Sequence, residues 1–396
     1  MRASSQISKQ VVACLIIVRT VLNTSVRMIY PFLPALSRGM KVDLATISLA
    51  IMAASLGGIA TPFLAPIAER WGRKTGMVAG MAIFGIGCLI FVVRPTFSAF
   101  GLSLLLVNVG NNFFTSASQA YLSDYTPYAR RTSILALAET SWSLSFILGV
   151  PLMALLMVRL GWATPFSFQA VMSLLAGILV VAVIRSDRQH FTSSTPVLAP
   201  LKQVLRSASA LAGLMVILGI VGANQVISLA FGVWMEDAFG LQIVALGLAS
   251  ALIGLSELGG EGLAAVLSDR LGKKASVVAG LLVNSLLPIA LPWLGQTLPG
   301  ALAWLALFYL TFEFTAVGSI SILTEILPGA RATMLAAGVT AFTLGIALGA
   351  LFAPALYAHG FQANSLACIA FNGIALLALT RLRTGGEPEA VRAEPS

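Results

Sequence analysis

Twelve stretches of hydrophobic sequence, each long enough for a helix to cross a bilayer, constrain this chain more than any other feature. They fall near residues 11–35, 46–67, 76–93, 99–122, 132–157, 165–184, 208–234, 242–266, 275–294, 300–324, 332–357 and 363–380. A bilayer core about 30 Å thick needs about 20 apolar residues in a helix rising 1.5 Å per residue. Each run is about twice the ~10 residues of a barrel strand and lacks its alternation. With 58% of 396 residues hydrophobic, about 230 are at hand for the ~240 that twelve spans need. Only 10% of the residues are charged, against roughly 25% in soluble domains. That is too little charge to solvate a soluble surface. A soluble enzyme, a nucleic-acid binder and a disordered scaffold are excluded together, and an all-α integral membrane protein is expected.

The loops set the orientation. With both termini cytoplasmic, the inner segments hold 18 of the 24 Lys and Arg residues, while the outer loops hold only Arg38, Lys41, Arg94 and Arg159. Such a bias is the positive-inside pattern. The net charge of +9 therefore reports topology in a cell inner membrane rather than a polyanionic partner. Arg2 and Lys9 precede the first run as in a signal peptide, but the run continues to about Ala35 with no small-residue cleavage site, so it reads as an uncleaved span. Cys14, Cys88 and Cys368 lie in apolar stretches and give no disulfide framework. His190 and His359 are too few and too far apart for a metal site. There is no G-x-x-x-x-G-K-[ST] phosphate loop and no paired-histidine or serine–histidine grouping in the spans, so neither an ATP-driven pump nor a membrane enzyme is expected. No cofactor and no metal are expected.

An internal repeat divides the chain. Residues 68–74 read AERWGRK and residues 268–274 read SDRLGKK, pairing Glu69 with Asp269, Arg70 with Arg270, Gly72 with Gly272 and Lys74 with Lys274. SDYTPYARRT at 123–132 answers TEILPGARAT at 324–333, pairing Asp124 with Glu325 and Pro127 with Pro328. Two matches in register leave chance a poor explanation. Six spans per half return the chain to the same side, so the halves are parallel repeats about an axis along the membrane normal. The expected division is a six-helix bundle over 1–184, a cytoplasmic linker over 185–207, a second bundle over 208–382 and a disordered tail over 383–396.

These residues resemble the major facilitator superfamily. Its signature loop is similar to Ala65-Pro66-Ile67-Ala68-Glu69-Arg70-Trp71-Gly72-Arg73-Lys74, with Ala65 in place of glycine and Glu69 in place of aspartate. The echo runs from Ala265 to Lys274 and includes Asp269, Arg270, Gly272, Lys273 and Lys274. The resemblance implies twelve helices in two bundles related by a pseudo-two-fold axis, and alternating access around a central site. Independently of the family, an acid at a helix end beside guanidinium groups makes a charge cluster able to hold two halves together in one state. Leu148-Gly149-Val150-Pro151-Leu152, followed by Gly161-Trp162, resembles the arabinose-efflux-permease branch of twelve-span drug:proton antiporters. Four residues before Gly110, where many proton-coupled relatives have arginine, this chain has Leu106. In the eleventh span, Gly345 and Gly349 form a small-residue packing face.

Ionisable groups inside spans cost at least ~2.5 kcal/mol each on insertion scales, so each asks for a partner or a cavity. They are Arg19 and Arg27 in the first span, Glu139 in the fifth, Glu257 and Glu261 in the eighth and Glu313 in the tenth. The fourth span carries Asn108, Asn112, Thr115 and Gln119 on one helical face. The first places Asn23, Arg27 and Tyr30 on a face, and the seventh offers Asn224, Gln225 and Ser228. The family architecture puts spans 1, 4, 7 and 10 around the cavity, and all four carry polar faces. Arg19 is expected to snorkel to the cytoplasmic interface. Tyr30, Phe113, Phe114, Trp142 and Trp234 are candidate aromatic walls. Glu139, Glu257 and Glu261 fall at one depth and are the candidate proton carriers. Glu313 is their rival, with Arg27 as its counter-charge. Arg27 suits an anion and Glu313 a cation or a proton. The expected function is proton-coupled efflux of small amphipathic compounds by a monomer whose partners are its substrate, protons and the lipid bilayer; the alternative is a metabolite, sugar or lipid transporter or uniporter of the same fold.

Cysteines placed at Ser193 and Thr297 should react with an impermeant thiol reagent from opposite sides of the membrane; labelling from one side would overturn the topology.

Overall fold

The structure, a computed structural model, describes residues 7–57, 72–185, 198–327 and 331–382. All regular structure among them is helical. The first half comprises α1 (Lys9–Arg27), α2 (Ile29–Met40), α3 (Leu44–Gly57), α4 (Arg73–Val93), α5 (Phe97–Tyr125), α6 (Tyr128–Glu139), α7 (Ser141–Leu144), α8 (Val150–Leu160) and α9 (Thr164–Val183). The linker holds α10 (Leu198–Arg206). The second half comprises α11 (Ala208–Phe239), α12 (Ile243–Leu271), α13 (Lys273–Leu294), α14 (Leu298–Ile326), α15 (Arg331–Tyr357) and α16 (Phe361–Arg381). Eleven helical stretches among the described residues are long and apolar enough to cross a membrane. Together α2 and α3, which meet at 117°, have the length and apolarity of one further, bent span. Leu89, Val93, Leu160, Leu174, Leu286 and Leu377 are exposed on the outer surface, as helices facing lipid require.

Two spans are broken, and proline explains both. The first is interrupted at Met28, between α1 and α2. Pro31 has no N–H for the Arg27 carbonyl four residues back, and its ring crowds that carbonyl. The fifth span is assembled from α6, α7 and α8, with a π-turn over Ser145–Gly149. Pro151 cannot donate to Ile147, and the Val150 N–H reaches back to the Ser145 carbonyl instead.

The repeat is visible atom by atom. Gly72 and Gly272 both sit at positive φ, 89° and 83°, at the turns into α4 and α13. Arg73 Nε meets Asp124 at 3.3 Å, and Lys273 meets Glu325 at the equivalent place. Lys74 Nζ donates to the Val181 carbonyl at 2.7 Å, and Lys274 Nζ to the Leu382 carbonyl at 3.0 Å. Each basic group thereby ties the start of a half's third span to the end of its fourth or sixth. We call this end of the bundle the signature-loop face and the opposite end the far face.

Glycines bring the two halves together. A Cβ on Gly232 of α11 would lie 2.7 Å from the Tyr30 and Pro31 carbonyl oxygens, and one on Gly254 of α12 would lie 2.8 Å from that of Ser143. Inside the second half, a Cβ on Gly349 would lie 2.5 Å from Gln225 Cβ, so the small-residue face of the eleventh span packs on the seventh. Gly254→Ala should cost about 1–3 kcal/mol by overpacking. Gly373→Ala, where a Cβ would meet nothing within 4 Å, should be neutral or slightly stabilising. Thermal unfolding in detergent compares them.

Candidate functional site

The helix break at Met28 leaves Arg27 as the last residue of α1, deep in the bundle and only 3% exposed. Its Nη1 donates to Glu257 Oε2 at 2.7 Å and its Nη2 to Glu257 Oε1 at 2.5 Å. Nη1 also donates to the Trp142 carbonyl at 3.0 Å. The guanidinium carbon lies 3.5 Å from the Phe146 ring centre and 4.3 Å from that of Trp142. This is a bidentate, charge-assisted pair between the halves, with aromatic faces on the cation. Glu257 is 1% exposed.

The remaining acids divide by partner. Glu139 accepts from Arg19 Nη2 with both oxygens at 2.9 Å, and from Gln119 Nε2 at 2.9 Å. Glu139 is nearly half exposed, whereas Arg19 is buried, so the arginine does not snorkel to the interface. A carboxylate inside its own half holds it there. Glu261 accepts from the Ser143 hydroxyl across the divide at 3.0 Å. Glu313 stands where α14 and α12 meet most closely: a Cβ on Gly260 would lie 3.0 Å from Glu313 Cβ. Arg27 is therefore the counter-charge of Glu257 and not of Glu313, because the turn of α12 that carries Glu257 is the one pressed against the fifth span through Gly254.

Neutral polar groups extend the site in both halves. Asn111 Nδ2 donates to Asn23 Oδ1 at 3.4 Å, Asn23 Nδ2 to Ser141 Oγ at 3.4 Å, and Thr115 Oγ1 to Asn111 Oδ1 at 3.5 Å. Asn108 instead donates to the Leu104 carbonyl of its own helix at 2.9 Å. The face of the fourth span that meets the first span thus runs through Asn111, Thr115 and Gln119; of these the sequence reading passed over Asn111, although the spacing of four was there to find it. In the second half, Tyr30 Oη donates to Gln225 Oε1 at 3.3 Å, and Ser228 joins Asn224 at 3.0 Å and Tyr309 at 2.8 Å. Tyr309 was also missed. Two proposed aromatic walls are core instead: Phe114 is fully buried, and Trp234 stacks on Phe361 with ring centres 4.0 Å apart. Phe113 is buried as well.

The cross-half contacts run from Arg38–Glu236 at the far face, through Tyr30–Gln225 and Arg27–Glu257, to Ser143–Glu261. The partly exposed Glu139 lies beyond them, toward the signature-loop face. Contacts between the halves thus extend from the far face to the middle of the bundle.

A family model for the Major Facilitator Superfamily matches residues 15–324. The chain belongs to that superfamily. An MFS-type transporter of Bacillus subtilis, YwfA, is 27% identical over 355 residues, covering 86% of this chain and 84% of that one. Multidrug resistance protein 2 of Bacillus subtilis is 26% identical over 186 residues, 46% of each chain. Among solved structures, a bacterial homologue of the human lysosomal transporter Spinster, inward-facing and unoccupied, superposes with a TM-score of 0.77 at 14% identity, covering 94% of this chain and 97% of that one.

As a superfamily transporter this chain carries two signature loops, which the structure describes in part. Glu69 and Arg70 lie outside the described residues, as does the side chain of Asp269. Gly72, Arg73, Lys74, Gly272, Lys273 and Lys274 hold the paired contacts given above, each within its own half, and Arg270 is exposed at the end of α12.

Removing one partner of a buried ion pair typically costs about 3–5 kcal/mol, whereas replacing both by apolar groups is often neutral. Arg27→Met should therefore destabilise the protein by about that amount. Arg27→Met combined with Glu257→Met should recover most of the loss. Thermal unfolding of the purified variants in detergent checks the pair.

Proposed function

We propose that this transporter exports small amphipathic cations from the cytoplasm in exchange for protons, by alternating access between its two six-helix halves. One observation carries the reading: the pairing of Arg27 with Glu257. That pairing removes the group that would have suited an anion. Four carboxylates, Glu139, Glu257, Glu261 and Glu313, stand against two guanidinium groups, Arg19 and Arg27. Both guanidinium groups are engaged, so Glu261 and Glu313 are left to attract a cation. Tyr30, Asn23, Asn108, Asn112, Thr115, Gln119, Asn224 and Gln225 would supply neutral contacts for the rest of the molecule. The partial likeness to a multidrug resistance protein supports an exporter. The positive-inside bias supports a cytoplasmic signature-loop face.

The protein reconstituted in liposomes, with an imposed pH gradient, should drive amphipathic cations and leave organic anions and sugars of similar size undriven. Driven transport of an anion or a sugar would overturn the cation reading, and a rate indifferent to the gradient would overturn the exchange. Glu313→Gln should raise the KM for a cation about tenfold or more, since a hydrogen bond to a charged group is worth about 1.5–3 kcal/mol.

A further inference from the structure

The two members of the buried pair are supported unequally. Arg27 is held by its own half whether or not Glu257 is present. The Trp142 carbonyl accepts from it at 3.0 Å, and the Trp142 and Phe146 rings lie beside its guanidinium. These three supports sit on α7 and the π-turn of the fifth span, which Gly149 locks against the first: a Cβ there would fall 1.9 Å from Thr24 Oγ1. Glu257 has no equivalent. Among the described residues its hydrogen bonds come from Arg27 alone. Its other charged or titratable neighbours are Glu261, one turn along α12, and Glu313 and Tyr309 on α14. None of these offers a positive charge. When the halves part, the cation keeps a carbonyl and two ring faces, while the carboxylate is left among acids in a dry site.

We propose that Glu257 is the residue that carries the exchanged proton, and that the fifth span's π-turn is the seat on which Arg27 remains while the pair is open. The inference rests on the proton exchange argued above and assigns it to one group. On the export stroke, the cationic group of the substrate, first attracted by Glu261 and Glu313, takes the place of Arg27 beside the Glu257 carboxylate, and the halves separate at the far face. Once the substrate has left, water at the far face gives the carboxylate one proton, forming an O–H bond. The neutral acid crosses the closing transition. On re-pairing, that O–H bond breaks, the proton leaves to water at the signature-loop face, and the carboxylate again accepts the two Arg27 N–H groups. One proton enters for each cation that leaves, and charge balances at every step.

Two readouts test this. In liposomes with an imposed pH gradient, Glu257→Gln should lose uphill transport of an amphipathic cation, and Glu257→Asp, which restores the carboxylate, should regain it. The second readout is far-face opening, followed by an impermeant maleimide added from that side. It reacts with a cysteine at Ser228, one turn inward of the Gly232 seal, in a background lacking the three native cysteines. With Glu257 present, labelling should accelerate as the pH falls, because protonation releases the pair. With Glu257→Gln, it should be fast and independent of pH. Uphill transport by Glu257→Gln, or labelling of that variant that keeps its pH dependence, would overturn the assignment while leaving proton exchange intact. A protein with native Glu257 that ignores the gradient would overturn both.

Discussion

A guanidinium and a carboxylate locked together in the dry centre of a membrane bundle set the terms for the rest of this structure. Without the pair Glu257 is left a bare buried carboxylate, while Arg27 keeps only one carbonyl and two ring faces. Their meeting requires three separate features of the sequence. Pro31 ends α1 at Arg27, Pro151 widens the fifth span into a π-turn beside the guanidinium, and Gly254 lets α12 come close enough for Glu257 to arrive. Each is a local irregularity that would weaken an isolated helix. Together they place one cation, one carbonyl, two rings and one carboxylate within contact.

The repeat governs the ends of the spans but not their charges. Turn glycines and basic anchors recur in both halves, because both must turn at the same face. Inside the bundle the symmetry is lost. The first span carries Arg19 and Arg27, while the seventh, its counterpart, carries no basic residue at all. Three of the four membrane acids of the site, Glu257, Glu261 and Glu313, lie in the second half. The halves therefore attract one another across the divide, and the attraction is strongest where water is excluded.

How far the sequence was legible follows the same division. Twelve spans and the two-fold repeat could be read directly, because a bilayer admits only unbroken apolar runs of the right length, and the paired loops kept their charges in register. The depth of the acids could not be read from residue counts along a helix: Glu257 is buried at the pair with Arg27, whereas Glu139 is nearly half exposed, nearer the signature-loop face. Nor could their partners. Whether Arg27 meets Glu313 or Glu257 depends on the rotation of α12 and α14 about their own axes, and that rotation is set by Gly254 and Gly260 packing on distant elements. Arg19 was misread for a related reason: its distance from the interface is compatible with snorkelling, and only the fold brings Glu139 to it. On the fourth span, Asn112 and Asn111 are neighbours in sequence but about 100° apart around the helix. Asn111 is the one that reaches Asn23, and a face counted from Asn108 through Asn112 passes it by.

Among the described residues two ion pairs cross between the halves, and their magnitudes decide which one holds the resting state. Arg38–Glu236 at the far face is the more conspicuous, but the arginine is 61% exposed. Exposed pairs are worth about 0–1 kcal/mol and are screened by salt, so this one biases closure by less than about tenfold. Separating Arg27 from Glu257 without compensation leaves a bare buried charge, at about 3–5 kcal/mol. At 1.4 kcal/mol per factor of ten, that shifts the balance between states by roughly 10²- to 10³-fold or more. A transporter so locked would be idle unless something that binds in each cycle replaced the lost interaction. The lock therefore need not be weak for turnover to occur; it has to be one that a proton and a cation can each replace, and a lone carboxylate meets that condition where a packed apolar seam would not.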